Sequence, residues 1–221
     1  MERQRSIIVE FVGIAGVGKT TLCNEVGRVL GEEYSCVINP NEEISISLVT
    51  RAKIIFNAIS LIASQFKVSS KNFFRLVNML YLAQLKNYYA SRPGIHLIDQ
   101  GIYQGILFSI FPRKKDFDHI GFSKSILSLL EKKIDLVVYV NASPEVVKMR
   151  RINRGGKKKK TTDISFLKQQ IIDSKVNMSS LIETLKRTTG TCFVEVTNET
   201  EDNFRDVVKV IVETIGTLHL G

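Results

Sequence analysis

Residues 13–21 read GIAGVGKTT, between the apolar run SIIVEFV and the helical pattern LCNEVGRVL. No other segment restricts the possible folds so strongly. Glycines let a backbone curl until successive N–H groups converge on anionic oxygens. A helix starting at the end of such a loop adds its unsatisfied N–H groups and its positive dipole end, worth up to ~2 kcal/mol for a well-placed anion. The motif therefore needs a buried strand before it and a helix after it, and both patterns are present. A glycine-rich turn with no ligand is the plainer alternative.

Gly13-x-x-x-x-Gly18-Lys19-Thr20 matches the phosphate-loop pattern in full. In that pattern the lysine reaches the terminal phosphates and the hydroxyl of Thr20 ligates magnesium. The expected ligand is a nucleoside triphosphate with Mg2+.

Short runs rich in Val, Ile and Leu alternate with helical periodicity along the chain, the signature of a parallel sheet covered by helices. Strands are expected at residues 6–12, 35–39, 95–99, 135–141 and 192–196. Helices are expected at 19–31, 45–66, 71–91, 123–132, 144–154, 164–187 and 200–218. Ser143-Pro144 is a good helix start, with a capping hydroxyl followed by a proline at the first helical position. No Pro/Gly/Ser linker and no internal repeat divides the chain, so residues 1–221 read as one domain.

Two later segments suggest how a bound triphosphate is used. IHLIDQG places Asp99 at the carboxyl end of the third strand, where open α/β sheets build their sites. That carboxylate can hold magnesium through water, take a proton from an attacking hydroxyl, or merely cap a helix beginning near Gly101. After the fourth strand, NASPEVVKMRRINRGGKKKK carries Arg150, Arg151 and Arg154 at spacings that let them converge on one helix face. Arginines on a mobile lid suit phosphoryl transfer, which requires charge stabilisation and exclusion of water. A solvated basic helix end is the alternative.

Composition narrows the class. With 44% hydrophobic and 24% charged residues over 221 positions, the chain can bury a core without disulfides or a structural metal. Cys23, Cys36 and Cys192 are sparse and unpaired by spacing, as in a reduced cytoplasmic protein. No uncharged segment is longer than residues 54–66, which is too short to span a bilayer, so no membrane partner is expected. The net charge of +9 invites a nucleic-acid reading, but a polyphosphate binder is basic too.

FVGIAGVGKTT, LIDQG and DLVVYVNASPEVVKMRRINRG fall in the order and approximate spacing of the thymidylate-kinase-like branch of the nucleoside and nucleoside-monophosphate kinases, and the chain resembles that family over nearly its whole length. The resemblance implies a three-layer α/β P-loop NTPase fold: a five-stranded parallel sheet of order 2-3-1-4-5, helices on both faces, and a lid at about 150–163. It implies that Gly13, Gly16, Val17, Gly18, Lys19, Thr20 and Thr21 take the phosphate-loop roles, and that the backbone near Thr197 and Asn198 borders the adenine. Lys19 and the lid arginines Arg150 or Arg151, with Arg154, would meet the transferring phosphoryl, and Thr20 with Asp99 the magnesium.

The acceptor side departs from the family. Thymidylate kinases follow the third-strand aspartate with arginine and an aromatic residue, where this chain has Gln100 and Gly101. An uncharged glutamine cannot replace a bidentate phosphate clamp. The acceptor pocket is expected among the helices of about 42–92, with Glu42, Arg75, Gln100 and Gln104 as contacts. The expected activity is transfer of the γ-phosphoryl of Mg-ATP to a nucleoside, nucleoside monophosphate or similar hydroxylated small molecule, a homodimer being among the open options. A P-loop ATPase or nucleotide-dependent switch with a diverged acceptor site is the alternative.

Overall fold

The computed structural model describes residues 6–31, 36–38, 91–99, 101–105, 134–154, 163–188 and 190–220, with the single residues 56, 77, 81 and 89. In chain order the elements are β1 (Ser6–Val12), α1 (Lys19–Gly31), β2 (Cys36–Ile38), β3 (Gly94–Ile98), α2 (Ile102–Gly105), β4 (Leu136–Asn141), α3 (Pro144–Asn153), α4 (Ile164–Thr188), β5 (Cys192–Thr197) and α5 (Glu201–Leu220). The expected helices at 45–66, 71–91 and 123–132 lie almost wholly outside the described residues, as does most of the lid.

The strands form one sheet in the order β2-β3-β1-β4-β5, and every pairing is parallel. All seven residues of β1 are buried, as a central strand covered on both faces requires. Ile7, Val9 and Phe11 share a core with Leu22, Cys23, Val26 and Leu30 of α1 and with Val208, Ile211 and Ile215 of α5. By the two-residue period of a strand, Ile8, Glu10 and Val12 face the other side.

Register decides where the loops emerge. Glu10 lies opposite Ile98 of β3 and Val137 of β4, while Asn141 lies opposite Thr197 of β5. The carboxyl ends of β1, β3, β4 and β5 therefore share one edge of the sheet. Gly13, Asp99 and Asn198 follow those ends directly, at the point where the strand order switches.

Helix starts on that edge are fastened. Ser143 caps α3, its Oγ accepting Val146 N–H at 3.4 Å ahead of Pro144. Glu199 in turn accepts from both Ser143 N–H and Ser143 Oγ at 2.7 Å. Thr200 and Asn203 bond reciprocally at the start of α5, at 3.1 and 3.3 Å. No helix among the described residues is long and apolar enough to cross a membrane.

Candidate functional site

The loop between β1 and α1 folds back on its own lysine. Gly16 and Gly18 adopt φ of 99° and 96°. At Gly18 this conformation is joined by a steric demand, since a Cβ there would strike the amide nitrogen of Asn198. Lys19 is 8% exposed, and its Nζ donates to the carbonyls of Gly13 at 2.9 Å and Ile14 at 3.3 Å. Burial pulls the Lys19 ammonium down to about 8 against the opposing pull of Asp99, while Arg154 and Arg151 lower it further.

In the first turn of α1, Thr20 Oγ1 donates to Asp99 Oδ2 at 2.6 Å. Asp99 is buried just beyond β3, which runs from Gly94 to Ile98 rather than through Asp99. An alcohol and a carboxylate side by side are hard oxygen donors, and among the described residues no group of three His, Cys, Asp or Glu could cage a metal. That set fits Mg2+, which completes its shell with waters and substrate phosphates rather than with protein alone.

The three arginines divide their contacts. Arg150 Nη1 donates to Val17 O and Asn198 O, both at 3.0 Å, and its Nη2 reaches Asn198 Oδ1 at 3.4 Å. Arg151 donates to Ala15 O through Nε at 2.9 Å and Nη2 at 2.7 Å, with Gln170 of α4 behind it at 3.5 Å. Arg154 is exposed at the end of α3 and lines a cavity of about 580 Å³ with Thr20, Thr21, Asn24, Glu25, Arg28 and Phe204. Two arginines thus grip the loop's carbonyls, and the third stands over the first turn of α1.

Asn198 is spent on the protein rather than on an exposed edge. It is 2% exposed, its N–H donates to Asn141 O at 2.9 Å, and its Nδ2 donates to Val17 O at 2.9 Å. Thr197 O accepts Asn203 Nδ2 at 2.8 Å. Both residues, expected to border the adenine, thus make hydrogen bonds within the protein at the end of β5. Gln104, expected as an acceptor contact, lies against Gly13: its Oε1 accepts Gly13 N–H at 2.9 Å and its Nε2 donates to Gly13 O at 3.1 Å. Glu42, Arg75, Gln100 and residues 155–162 of the lid lie outside the described residues.

Several residues here escape motif reading. Asn24, Arg28 and Phe204 line the cavity without belonging to any pattern. Glu10, by contrast, carries a legible signal, a charge in the middle of an apolar strand.

No family profile and no curated protein matches the chain. Solved structures do. Thymidylate kinase from Ehrlichia chaffeensis superposes with a TM-score of 0.56 at 13% identity, over 96% of this chain and 99% of that one. Deoxyadenosine kinase from M. mycoides with bound dATP gives 0.55 at 15% identity, over 94% and 98%. The same enzyme with bound dCTP gives 0.52 at 15% identity, over 95% and 98%. At such identities the likeness is one of fold: the described residues have the parallel α/β architecture of these kinases.

Proposed function

We propose that the chain is a single-domain, Mg-ATP-dependent phosphotransferase acting on a nucleoside or nucleoside monophosphate. One observation carries this reading: Lys19, the Thr20–Asp99 pair and the arginines of α3 meet at one edge of the sheet. The N–H groups of residues 13–21 cradle the phosphates, with Lys19 on the terminal ones. Thr20 and Asp99 would hold Mg2+, which would supply positive charge against the phosphates of the nucleotide. The acceptor oxygen forms a bond to the γ-phosphorus as the bond to the β–γ bridging oxygen breaks, ADP leaves with that oxygen, and the acceptor's proton passes to water. Arg154 lines the same cavity as Thr20 and Thr21, suited to the charge that spreads over the transferring group. The base lies in the same cavity, whose half-buried Phe204 offers a ring to stack on. The solved neighbours, kinases of thymidylate and deoxyadenosine, support a nucleoside-type acceptor.

The test mixes the protein with Mg-ATP and a panel of nucleosides, nucleoside monophosphates and small alcohols. ADP release and acceptor mass are read together. An acceptor one phosphoryl heavier, formed in step with ADP, is the expected result. Slow hydrolysis indifferent to every acceptor would replace the kinase with an ATPase or switch.

A further inference from the structure

Glu10 is out of place in its strand. It is fully buried in the middle of β1, among Ile, Val and Phe. A carboxylate in such a place is costly unless hydrogen bonds compensate. Its Oε1 accepts the backbone N–H of Gln104 at 2.8 Å. Gln104 is the third residue of α2, and the first N–H groups of a helix have no partner inside it. Glu10 thus does from a central strand what a capping side chain at position 101 would otherwise do. Position 101 is glycine, and a Cβ there would fall on the Glu10 carboxyl group. Gly101 is the residue that makes room for Glu10.

With its backbone held this way, Gln104 lays its carboxamide along Gly13 and bonds to both polar groups of that residue, at 2.9 and 3.1 Å. The arrangement imitates a neighbouring strand and pins the peptide at the loop's entrance. Gly13 O also accepts the Lys19 ammonium at 2.9 Å. A continuous path of contacts runs from Gly101 through Glu10, Gln104 and Gly13 to Lys19.

We propose that Gln104 is a positioning residue of the phosphate loop, held by the Glu10–Gly101 pair, and that its carboxamide sets the Gly13 peptide against which Lys19 is placed. The proposal rests on reading residues 13–20 as a nucleotide loop. It gives a physical reason for glycine at 101, where the resemblance leads one to expect an aromatic residue: a side chain there and a carboxylate at 10 exclude each other.

The experiment compares the full chain with Gln104→Leu, Gly101→Ala and the double variant. The primary readout is amide hydrogen exchange of loop peptides in nucleotide-free protein, with peptides of β4 and α5 as internal controls. Each single variant should speed exchange in the loop by roughly ten-fold or more, with the controls unchanged. The double variant should be no faster than Gln104→Leu alone, because both changes act through one path. Affinity for inorganic tripolyphosphate with Mg2+ should fall by a similar factor in the same variants. Unchanged loop exchange in Gln104→Leu overturns the proposal, as do effects that multiply in the double variant. If Gln104→Leu does not fold, Gln104→Glu replaces it in the same comparison, keeping an acceptor for Gly13 N–H and losing the donor to Gly13 O. A wild-type protein that binds neither tripolyphosphate nor ATP would sink the kinase reading alone, since the exchange comparison still decides this one.

Discussion

Thr20 Oγ1 and Asp99 Oδ2 stand 2.6 Å apart, joining the first turn of α1 to the end of β3 across 79 positions of sequence. If the pair holds magnesium, removing the charge while keeping the shape should uncouple metal use from folding. Asp99→Asn retains an oxygen that can accept from Thr20, so its melting temperature should stay near the parent's. Turnover should fall about 100-fold, the scale of losing one electrostatic contact in an active site, and the Mg2+ concentration for half-maximal rate should rise. Magnesium titrations of ADP release check this; an unaltered magnesium midpoint would remove the pair from the metal's shell.

Asn198 joins β5 to the phosphate loop, and its replacement should be felt in both places. Asn198→Ala removes the Nδ2 donor to Val17 O and the Oδ1 acceptor of Arg150 Nη2, while Arg150 Nη1 keeps Val17 O and the backbone carbonyl of residue 198; the loss should cost on the order of 1–2 kcal/mol. Denaturant titration should show a lowered midpoint, and calorimetry an ATP affinity lowered by roughly ten-fold. Asn198→Asp keeps the acceptor for Arg150 but sets oxygen against Val17 O, so it should bind ATP no better than the alanine variant.

Gly18→Ala probes the same contact from the other side. The new Cβ meets the Asn198 amide, and φ of 96° is a conformation that side-chain-bearing residues avoid. Strain of this kind costs about 1–3 kcal/mol, and it is relieved by the loop moving away or by the Asn198 carboxamide giving up its bond to Val17 O. ATP binding should be lost while far-ultraviolet circular dichroism stays unchanged. Parental affinity in this variant would show that the tight approach of Gly18 to Asn198 is dispensable.

How much of this could be read in advance follows from where each feature's cause lies. β1 and α1 occupy residues 6–12 and 19–31, as their patterns suggest, because a fully buried strand and a glycine loop mark their own boundaries. The third strand shifts by one residue, from 95–99 to Gly94–Ile98, because pairing of Gly94 with Ser6 sets its start. The four-residue α2 is too short for any periodicity and owes its cap to Glu10, 94 positions away. Lys19, Thr20 and Asp99 could be picked out by motif and strand position. The partners of Gln104, Asn198 and Arg150 could not, since each depends on which strand ends lie side by side in the folded sheet.

Lys19 makes the protein's behaviour depend on pH in a definite direction. Its ammonium is lowered from 10.5 to about 8 in the folded chain, chiefly by burial. Below pH 8 both folded and unfolded chains carry the proton, so the burial penalty is present in full. Between about 8 and 10.5 the folded chain releases its proton first, and the Lys19 contribution to stability rises by up to ~3 kcal/mol. The stability difference between parent and Lys19→Met, measured by denaturant titration, should therefore be flat below pH 8 and sloped above it. Nucleotide affinity runs the other way, because a triphosphate prefers the charged form. It should be full below about pH 8 and weaken above it by up to roughly ten-fold per unit. Calorimetry in buffers of different ionisation enthalpy should register proton uptake on binding there, and none for Lys19→Met.

The three arginines should separate by experiment as they separate in contact. Arg150 is bound to Val17 O and Asn198 and is partly buried, so Arg150→Ala should lower stability and turnover together. Arg151 doubles on Ala15 O; its loss should loosen the loop, raising KM for ATP more than it lowers kcat. Arg154 is exposed and lines the cavity together with Thr20 and Thr21. Its truncation should leave the melting temperature and ATP affinity near the parent's and lower kcat by about 10- to 1,000-fold, the range of a lost transition-state contact. Steady-state kinetics and thermal melts on the three alanine variants decide the ordering. A parental kcat for Arg154→Ala would move the transition-state role to Arg150 or Arg151, which would then have to leave the loop carbonyls when nucleotide binds.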